Sequence, residues 1–473
     1  MNGPIRKVAV VCMVLFVALM LNVSVTSMTR QSSLDENSQN RRVMDARFAQ
    51  DRGAIMVGTT PIAVSKPVKD QYKFQRSYPQ GELYAPVTGF YSYVYGASGL
   101  ESSMSAELAG QDSNQILSGL ISAEAGQSQP GATVVTTLNA KAQQAAWDGL
   151  AGRPGAVVAI NTQTGAIEAL VSSPSFDPNT LATHDLAASQ ATWKQLNADA
   201  SQPMLNRATR NTYSPGSTFK LIVAAAAMEK GMTPQTMIDA TPYKLPQSTS
   251  VISENCGGAK ITLLHALQVS CNPAFARLGV SLGQDAIRSE AQKFGFGQKF
   301  LPEIGSAAST FGPDNLNDAQ LAQSSIGQFD VSASPLQMAM VAAAIADDGV
   351  VMTPYLVDKV MSPDLQVISQ TTPQQASVAT SAATAAGLRQ MMVAVVSSGT
   401  GTKAQIPGLD IGGKTGTAQT TGKQVPYVWF TGYAAQLHVA VCVFVQNSGM
   451  SADDTWGSIV AAPIAKSVWE ALQ

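Results

Sequence analysis

Ser217 and Lys220 are the residues of this chain best placed for covalent chemistry: three positions apart, they share a face if their segment is helical. Composition predicts that helix. Residues 217–229 (STFKLIVAAAAME) are rich in Ala, Leu and Met, Gly231 follows as a stop, and Ser214-Pro215-Gly216 is turn chemistry just before. A serine hydroxyl is a weak nucleophile until a neighbouring base takes its proton. Lysine can be that base only when neutral, and its ordinary pKa of about 10.4 opposes this near neutrality. Burial in an apolar helix and a second nearby cation both lower that value. A depression of about three units costs on the order of 4 kcal/mol, drawn from the stability of the surroundings. Taken alone, the pair reads more readily as a capping serine and a surface lysine.

Two further strings, in order, give the pair its meaning. Ser270-Cys271-Asn272 falls between a short helical stretch at residues 261–269 (ITLLHALQV) and a second one at 274–282 that Pro273 opens. In such a bend a hydroxyl can pass a proton between base and leaving amine, and an amide can fix the lysine and a substrate carbonyl. The plainer alternative is that Ser270 and Asn272 cap helix ends. Residues 411–420 (IGGKTGTAQT) read as a strand carrying Lys414-Thr415-Gly416-Thr417. Its glycines at 412, 413 and 416 suggest the close approach of a ligand backbone. A lysine and two hydroxyls there make a receptor for a carboxylate, and Lys414 is also the candidate second cation beside Lys220. Residues 427–433 (YVWFTGY) and 438–445 (HVAVCVFV) follow as adjoining strands. Other serine mechanisms fit poorly. No Gly-x-Ser-x-Gly surrounds Ser217, and the histidines are His184, His265 and His438, none at metal-ligand spacing. His265 and His438 read as structural.

With these residues in hand, the chain resembles the class B penicillin-binding proteins, membrane-anchored D,D-transpeptidases of peptidoglycan synthesis, and within them the penicillin-binding protein A type. The resemblance runs from about Arg52 to the C-terminus. Besides the three strings it rests on Arg52-Gly53-Ala54-Ile55, Tyr84-Ala85-Pro86-Val87-Thr88-Gly89, Ser98-Gly99-Leu100-Glu101, Val171-Ser172-Ser173-Pro174-Ser175-Phe176-Asp177-Pro178, Tyr213-Ser214-Pro215-Gly216 and Trp429-Phe430-Thr431-Gly432-Tyr433. It implies that Ser217 forms the acyl-enzyme and Lys220 is the base. It also implies that Ser270 shuttles the proton and that Asn272 orients Lys220 and the donor peptide. Lys414, Thr415 and Thr417, on the strand that includes Gly416, would hold the donor's terminal carboxylate. Backbone N–H groups of Ser217 and Thr417 would form the oxyanion hole. Cys271 departs from the small residue that many relatives carry in the middle of the second string. The implied partners are D-Ala-D-Ala stem peptides and an amine acceptor, β-lactam antibiotics, the membrane, a SEDS-type glycosyltransferase and other cell-wall synthesis proteins, with no cofactor and no metal.

These residues need a large scaffold, and 473 residues supply at least two domains. Only 13% of residues are charged and the net charge is −2, so no basic surface argues for a nucleic-acid partner. Arg6 and Lys7 precede a charge-free stretch, residues 8–29, whose apolar centre spans 8–21. That stretch reads as an uncleaved signal anchor, with a cleaved signal peptide ending near Val25-Thr26-Ser27 as the alternative. The basic residues before it place the N-terminus in the cytoplasm and the rest outside. The expected division is a tail and anchor at 1–30, a juxtamembrane linker (31–46) and β-rich pedestal within 31–130, and a transpeptidase domain at 131–473. Residues 110–131 read as a helical connector. The fold class is α+β: an antiparallel sheet flanked by helices, as in serine β-lactamases and transpeptidases, with a hairpin across residues 161–165 and a closing helix at 456–472. Outside the membrane, Cys256 and Cys271 can form a disulfide that closes a 15-residue loop on the second string. Cys12 lies in the anchor and Cys442 in an apolar strand. The alternatives to a transpeptidase are a D,D-carboxypeptidase or β-lactamase, a β-lactam sensor, and an idle scaffold. The Glu-x-x-Leu-Asn string of class A β-lactamases is missing, a cytoplasmic tail this short has no room for a signalling domain, and the intact strings argue against idleness.

Overall fold

The computed structural model describes residues 2–35, 45, 47–111, 130–246, 248–419, 425–449 and 457–473. Most of the expected linker (36–44 and 46) and connector (112–129) lie outside the described residues. Helix α1 (Asn2–Asp35) carries the charge-poor run. Its apolar stretch, Gly3–Thr29, is 27 residues long, and none of its most apolar window is buried among the described residues. At 1.5 Å per residue it measures about 40 Å, enough to cross the roughly 30 Å hydrocarbon core of a bilayer.

Strands β1 (Ile55–Val57), β2 (Thr60–Pro67) and β3 (Phe74–Ser77) come next. The chain then runs through β4 (Thr133–Thr136), α2 (Ala140–Leu150) and the hairpin β5 (Gly155–Asn161) and β6 (Ile167–Ser173). The helical part comprises α3 (Lys220–Glu229), α4 (Leu263–Gln268), α5 (Asn272–Leu282) and α6 (Pro335–Ala346). Strands β7 (Val357–Met361) and β8 (Val367–Gln370) precede α7 (Ala382–Ser398). Three long strands, β9 (Ile411–Ala418), β10 (Tyr427–Ala434) and β11 (Val439–Val445), and helix α8 (Gly457–Ala471) complete the chain.

The site rests on a five-stranded antiparallel sheet of order β9-β10-β11-β5-β6. Its two-residue period sorts the side chains onto two cores. Trp429, Tyr433, Ala440, Cys442 and Phe444 share a core with α6 and with α3, which carries Lys220, while Val428, Phe430, Val441 and Val443 face α2 and α8. Residues 335–345 of α6 are buried on every side, as expected of a helix that is apolar all round. Polar ties fix helices to the sheet: Trp469 Nε1 donates to Val439 O at 3.1 Å and Thr431 Oγ1 to Met338 O at 2.7 Å.

A second, six-stranded sheet has the order β8-β7-β4-β1-β2-β3. It crosses residue 131: β4 lies parallel to β1 with Ile55 opposite Val134, and β7 pairs antiparallel with β4 with Val360 opposite Val134. The N-terminal strands are thus completed by segments from later in the chain. Residues 81–88 (GELYAPVT), within the stretch expected to be β-rich, form a helix whose buried side includes Leu83, Tyr84 and Val87.

Candidate active site

Ser217 lies in the turn that launches α3. Gly216 adopts φ 54°, a left-handed conformation suited to glycine, and its N–H donates to Gly327 O at 3.0 Å. Residues Gly216–Phe219 form a 3₁₀ turn, so the α-helix expected from Ser217 begins at Lys220 instead. Thr218 Oγ1 donates to Pro215 O at 2.7 Å and Trp429 Nε1 to Ser214 O at 3.0 Å, which ties the turn to itself and to β10. Ser217 is half-buried while its neighbours Thr218, Phe219 and Lys220 are fully buried.

Lys220 meets the second string directly. Its Nζ donates to Ser270 O and to Asn272 Oδ1, both at 2.6 Å, and lies 3.3 Å from Ser270 Oγ. Ser270 sits between α4 and α5 at φ 62°, an uncommon conformation for a residue with a side chain. That conformation turns both its carbonyl and its hydroxyl towards Lys220. Asn272 is the first residue of α5, where Pro273 follows at no cost in hydrogen bonds. Lys414, on β9, donates from Nζ to Ser270 Oγ at 2.9 Å and to Thr415 O at 2.9 Å. One hydroxyl thus bridges two lysine nitrogens, and both lysines are fully buried.

Burial lowers the Lys220 pKa to about 7, while the Glu254 carboxylate pulls it upward. Lys414 is held well below the ordinary lysine range, first by burial and then by the Lys220 charge, with Glu254 again opposing. The sequence suggested Lys414 as the cation that depresses Lys220. In the structure the two lysines do meet at Ser270 Oγ, and burial is the first cause of the depression of both.

Strand β9 forms the edge of the sheet beside this cluster. Its glycines make room for the protein itself. A side chain at Gly412 or Gly413 would overlap the rings of Tyr433 and Phe430, and one at Gly416 would come within 2.9 Å of Pro215 O and 3.0 Å of Thr218 Cγ2. Gly416 therefore lets the strand pass close to the turn that carries Ser217. On the other side of that contact, a Cβ on Gly216 would lie 2.7 Å from Thr417 O, so residues 216–217 and 417 are immediate neighbours. Thr417 is half-buried, and Thr415 is buried with its Oγ1 2.6 Å from Thr400 Oγ1.

Ser217, Lys220, Ser270, Asn272 and the strand Lys414 to Thr417 are therefore brought to one place. Cys256 and Cys271 are joined in a disulfide with their Cα atoms 5.6 Å apart. Two residues escaped the sequence reading. Thr400 backs Thr415. Glu254, two positions before Cys256, accepts from the Asn272 backbone N–H at 3.0 Å and from Asn272 Nδ2 in a short contact. Its nearness in sequence to a cysteine paired with the Ser-x-Asn string was the available signal. The histidines have partners elsewhere: His184 pairs with Asp70 at 2.5 Å, and His265 Nδ1 lies 3.0 Å from Gln268 Oε1. His438 starts β11 from φ 53° and its carbonyl accepts from Thr162 N–H at 2.8 Å.

Comparison with known proteins agrees with this geometry. Residues 155–470 match the model of the penicillin binding protein transpeptidase domain, and residues 52–134 that of the penicillin binding protein A dimerisation domain. The peptidoglycan D,D-transpeptidase PbpA of Mycolicibacterium smegmatis is 42% identical over 486 residues, covering 99% of this chain and 98% of that protein. The protein of the same name from Mycobacterium tuberculosis H37Rv is 40% identical, covering 100% and 99%. The ceftriaxone acyl-enzyme complex of penicillin-binding protein A from M. tuberculosis superposes with a TM-score of 0.87 at 39% identity, covering 90% of this chain and 99% of that one. The penicillin G acyl-enzyme of the same protein gives 0.85 at 39% identity, with 90% and 100% covered. With a buried lysine pair converging on Ser270 beside Ser217, and a transpeptidase-domain match across most of its length, the chain belongs to the penicillin-binding protein transpeptidase family.

Proposed function

We propose that this chain is a peptidoglycan D,D-transpeptidase that cross-links stem peptides through an acyl-enzyme on Ser217 and is covalently inhibited by β-lactams. The observation that carries the reading is the bridge at Ser270 Oγ, 2.9 Å from Lys414 Nζ and 3.3 Å from Lys220 Nζ. Neutral Lys220 takes the Ser217 hydroxyl proton as Oγ attacks the carbonyl of the penultimate D-Ala. The backbone N–H groups of Ser217 and Thr417 stabilise the oxyanion. As the C–N bond breaks, Ser270 delivers the proton to the departing D-Ala amine. In the second half, an acceptor amine attacks the acyl carbonyl and gives up a proton by the same route, and Ser217 Oγ leaves and is reprotonated. Lys414, Thr415 and Thr417 hold the donor's terminal carboxylate, with Thr400 backing Thr415 and Gly416 letting the strand lie close to Ser217. Asn272 orients Lys220 and the donor peptide. A β-lactam enters at the first half, and its opened ring keeps the amine attached.

The apolar helix anchors the chain. Arg6 and Lys7 at its start favour a cytoplasmic N-terminus and an extracytoplasmic catalytic domain. Residues 31–130 act as linker and pedestal and 131–473 as transpeptidase domain, the pedestal sheet drawing strands from both. The fitting partners are a SEDS-type glycosyltransferase and other cell-wall synthesis proteins in the same membrane.

Incubation of the membrane-extracted chain with a fluorescent penicillin should give a long-lived adduct that mass spectrometry finds on Ser217. Ser217→Ala should abolish labelling. An adduct on another residue sinks the assignment, and rapid release points to a hydrolase instead.

A further inference from the structure

Glu254 lies outside the three strings, yet both its carboxylate oxygens engage one residue of the site: Oε2 accepts the Asn272 backbone N–H and Oε1 accepts Nδ2. The same amide presents its Oδ1 to Lys220 Nζ at 2.6 Å. An asparagine amide has one accepting end and one donating end, so a carboxylate on the donating end fixes which end faces the lysine. With the amide reversed, Asn272 would offer an N–H to neutral Lys220 and occupy the lone pair that Ser217 requires. As built, neutral Lys220 has two N–H groups and two acceptors at 2.6 Å, Ser270 O and Asn272 Oδ1. Its lone pair is then left for a hydroxyl, that of Ser270 at 3.3 Å here or that of Ser217.

We propose that Glu254 is a positioning residue of the acylation step, locking the Asn272 amide oxygen onto Lys220 and supplying the counter-charge for the buried lysine pair. The inference rests on Lys220 being the base. Glu254 acts through Asn272 without touching Ser217. Its outer side is exposed, where a carboxylate hydrogen bond alone holds a loop weakly. The Cys256–Cys271 bond supplies the hold, tying the segment that carries Glu254 to the residue just before Asn272. Among the described residues, the charged groups facing Lys220 are Glu254 and Lys414, and Ser270, Asn272 and the Phe275 ring at 5.6 Å complete its surroundings. The carboxylate favours the charged form of both lysines against burial.

The test is the pH dependence of acylation by a fluorescent penicillin, measured on the full-length solubilised chain, Glu254→Gln and Glu254→Ala. Glutamine keeps an acceptor for Asn272 and loses the charge. Its acid limb should move down by about 0.5–1 pH unit. Alanine loses the acceptor as well, so its alkaline plateau should fall about tenfold or more, with glutamine between it and the wild type. A merely structural role would lower the amount of labelled protein at every pH and leave the limb in place, and that result overturns the inference. An upward shift, or profiles identical to wild type in both variants, also overturns it. If Glu254→Ala does not fold, the limb of the near-isosteric glutamine variant decides. Failure of the underlying reading looks different: Lys220→Ala would then acylate at the normal rate.

Discussion

Glu101 and Lys220 are both fully buried, and they keep different company. Glu101 accepts from Arg52 Nε at 2.6 Å and Arg76 Nε at 2.5 Å, and Tyr78 Oη donates to it at 3.2 Å. Arg76 Nη1 also donates to Gly53 O at 2.7 Å, and the Arg52 guanidinium stacks 4.3 Å from the centre of the Tyr91 ring. Burial raises the Glu101 pKa, but the two guanidiniums pull harder and hold it below its ordinary value. Among the described residues, no carboxylate is bonded to Lys220. Its neighbours are a carbonyl, an amide oxygen, a hydroxyl and, across that hydroxyl, a second lysine. Buried charges that are mutually satisfied keep their ionic state and hold structure. Buried like charges facing each other shift towards neutrality, and a neutral lysine is a base.

The comparison breaks first on activity. Lys220→Ala should slow acylation by about 10²–10⁴-fold, as loss of a general base does, while the chain stays folded. In the wild type the acylation rate should climb as pH rises through about 7, because below that value Lys220 is protonated and cannot accept from Ser217. A rate flat from pH 5 to 9 would falsify the base assignment.

Glu101→Ala should do the converse. It strands two arginines in the interior, a change that typically costs about 3–5 kcal/mol. A guanidinium titration of the solubilised chain reads this as an earlier midpoint. An unchanged midpoint would mean that water reaches the arginines and that the pedestal charges are not the clamp inferred here.

The two regions also differ in how much the sequence disclosed. The lysines sat in short strings whose order carried the chemistry, and strands β9 to β11 were legible from their apolar runs and glycines. The reason for the glycines was not: rings of Tyr433 and Phe430 reach across from β10, and no local pattern announces that. The turn that carries Ser217 is 3₁₀ because Gly216 must meet both Gly327 and Thr417, partners about 110 and 200 residues away in the chain. Glu254 was missed because its bond to Asn272 spans 18 residues and depends on the chain folding back. The second sheet was half legible. Its first strands read as β, but β4 and β7 join by non-local pairing, which composition does not encode.

The smallest effect concerns the tether. The pedestal triad closes contacts 25 and 49 residues apart with charge alone, whereas the catalytic bend closes a 15-residue separation covalently. A loop of that size contributes about 3 kcal/mol in the chain-entropy model. The bend cannot use internal charge pairing without spoiling its base, since a carboxylate bonded directly to Lys220 would hold it protonated. Glu254 stands one amide further out, and the disulfide keeps it there. Replacing Cys256 and Cys271 together by serine should therefore lower unfolding stability by up to about 3 kcal/mol and move the acylation acid limb in the same direction as Glu254→Gln. Non-reducing peptide mapping of the wild type should recover the two cysteines in one linked pair. If the double variant keeps both its midpoint and its pH profile, packing of the rest of the bend holds it, and covalent closure plays no part in setting the base.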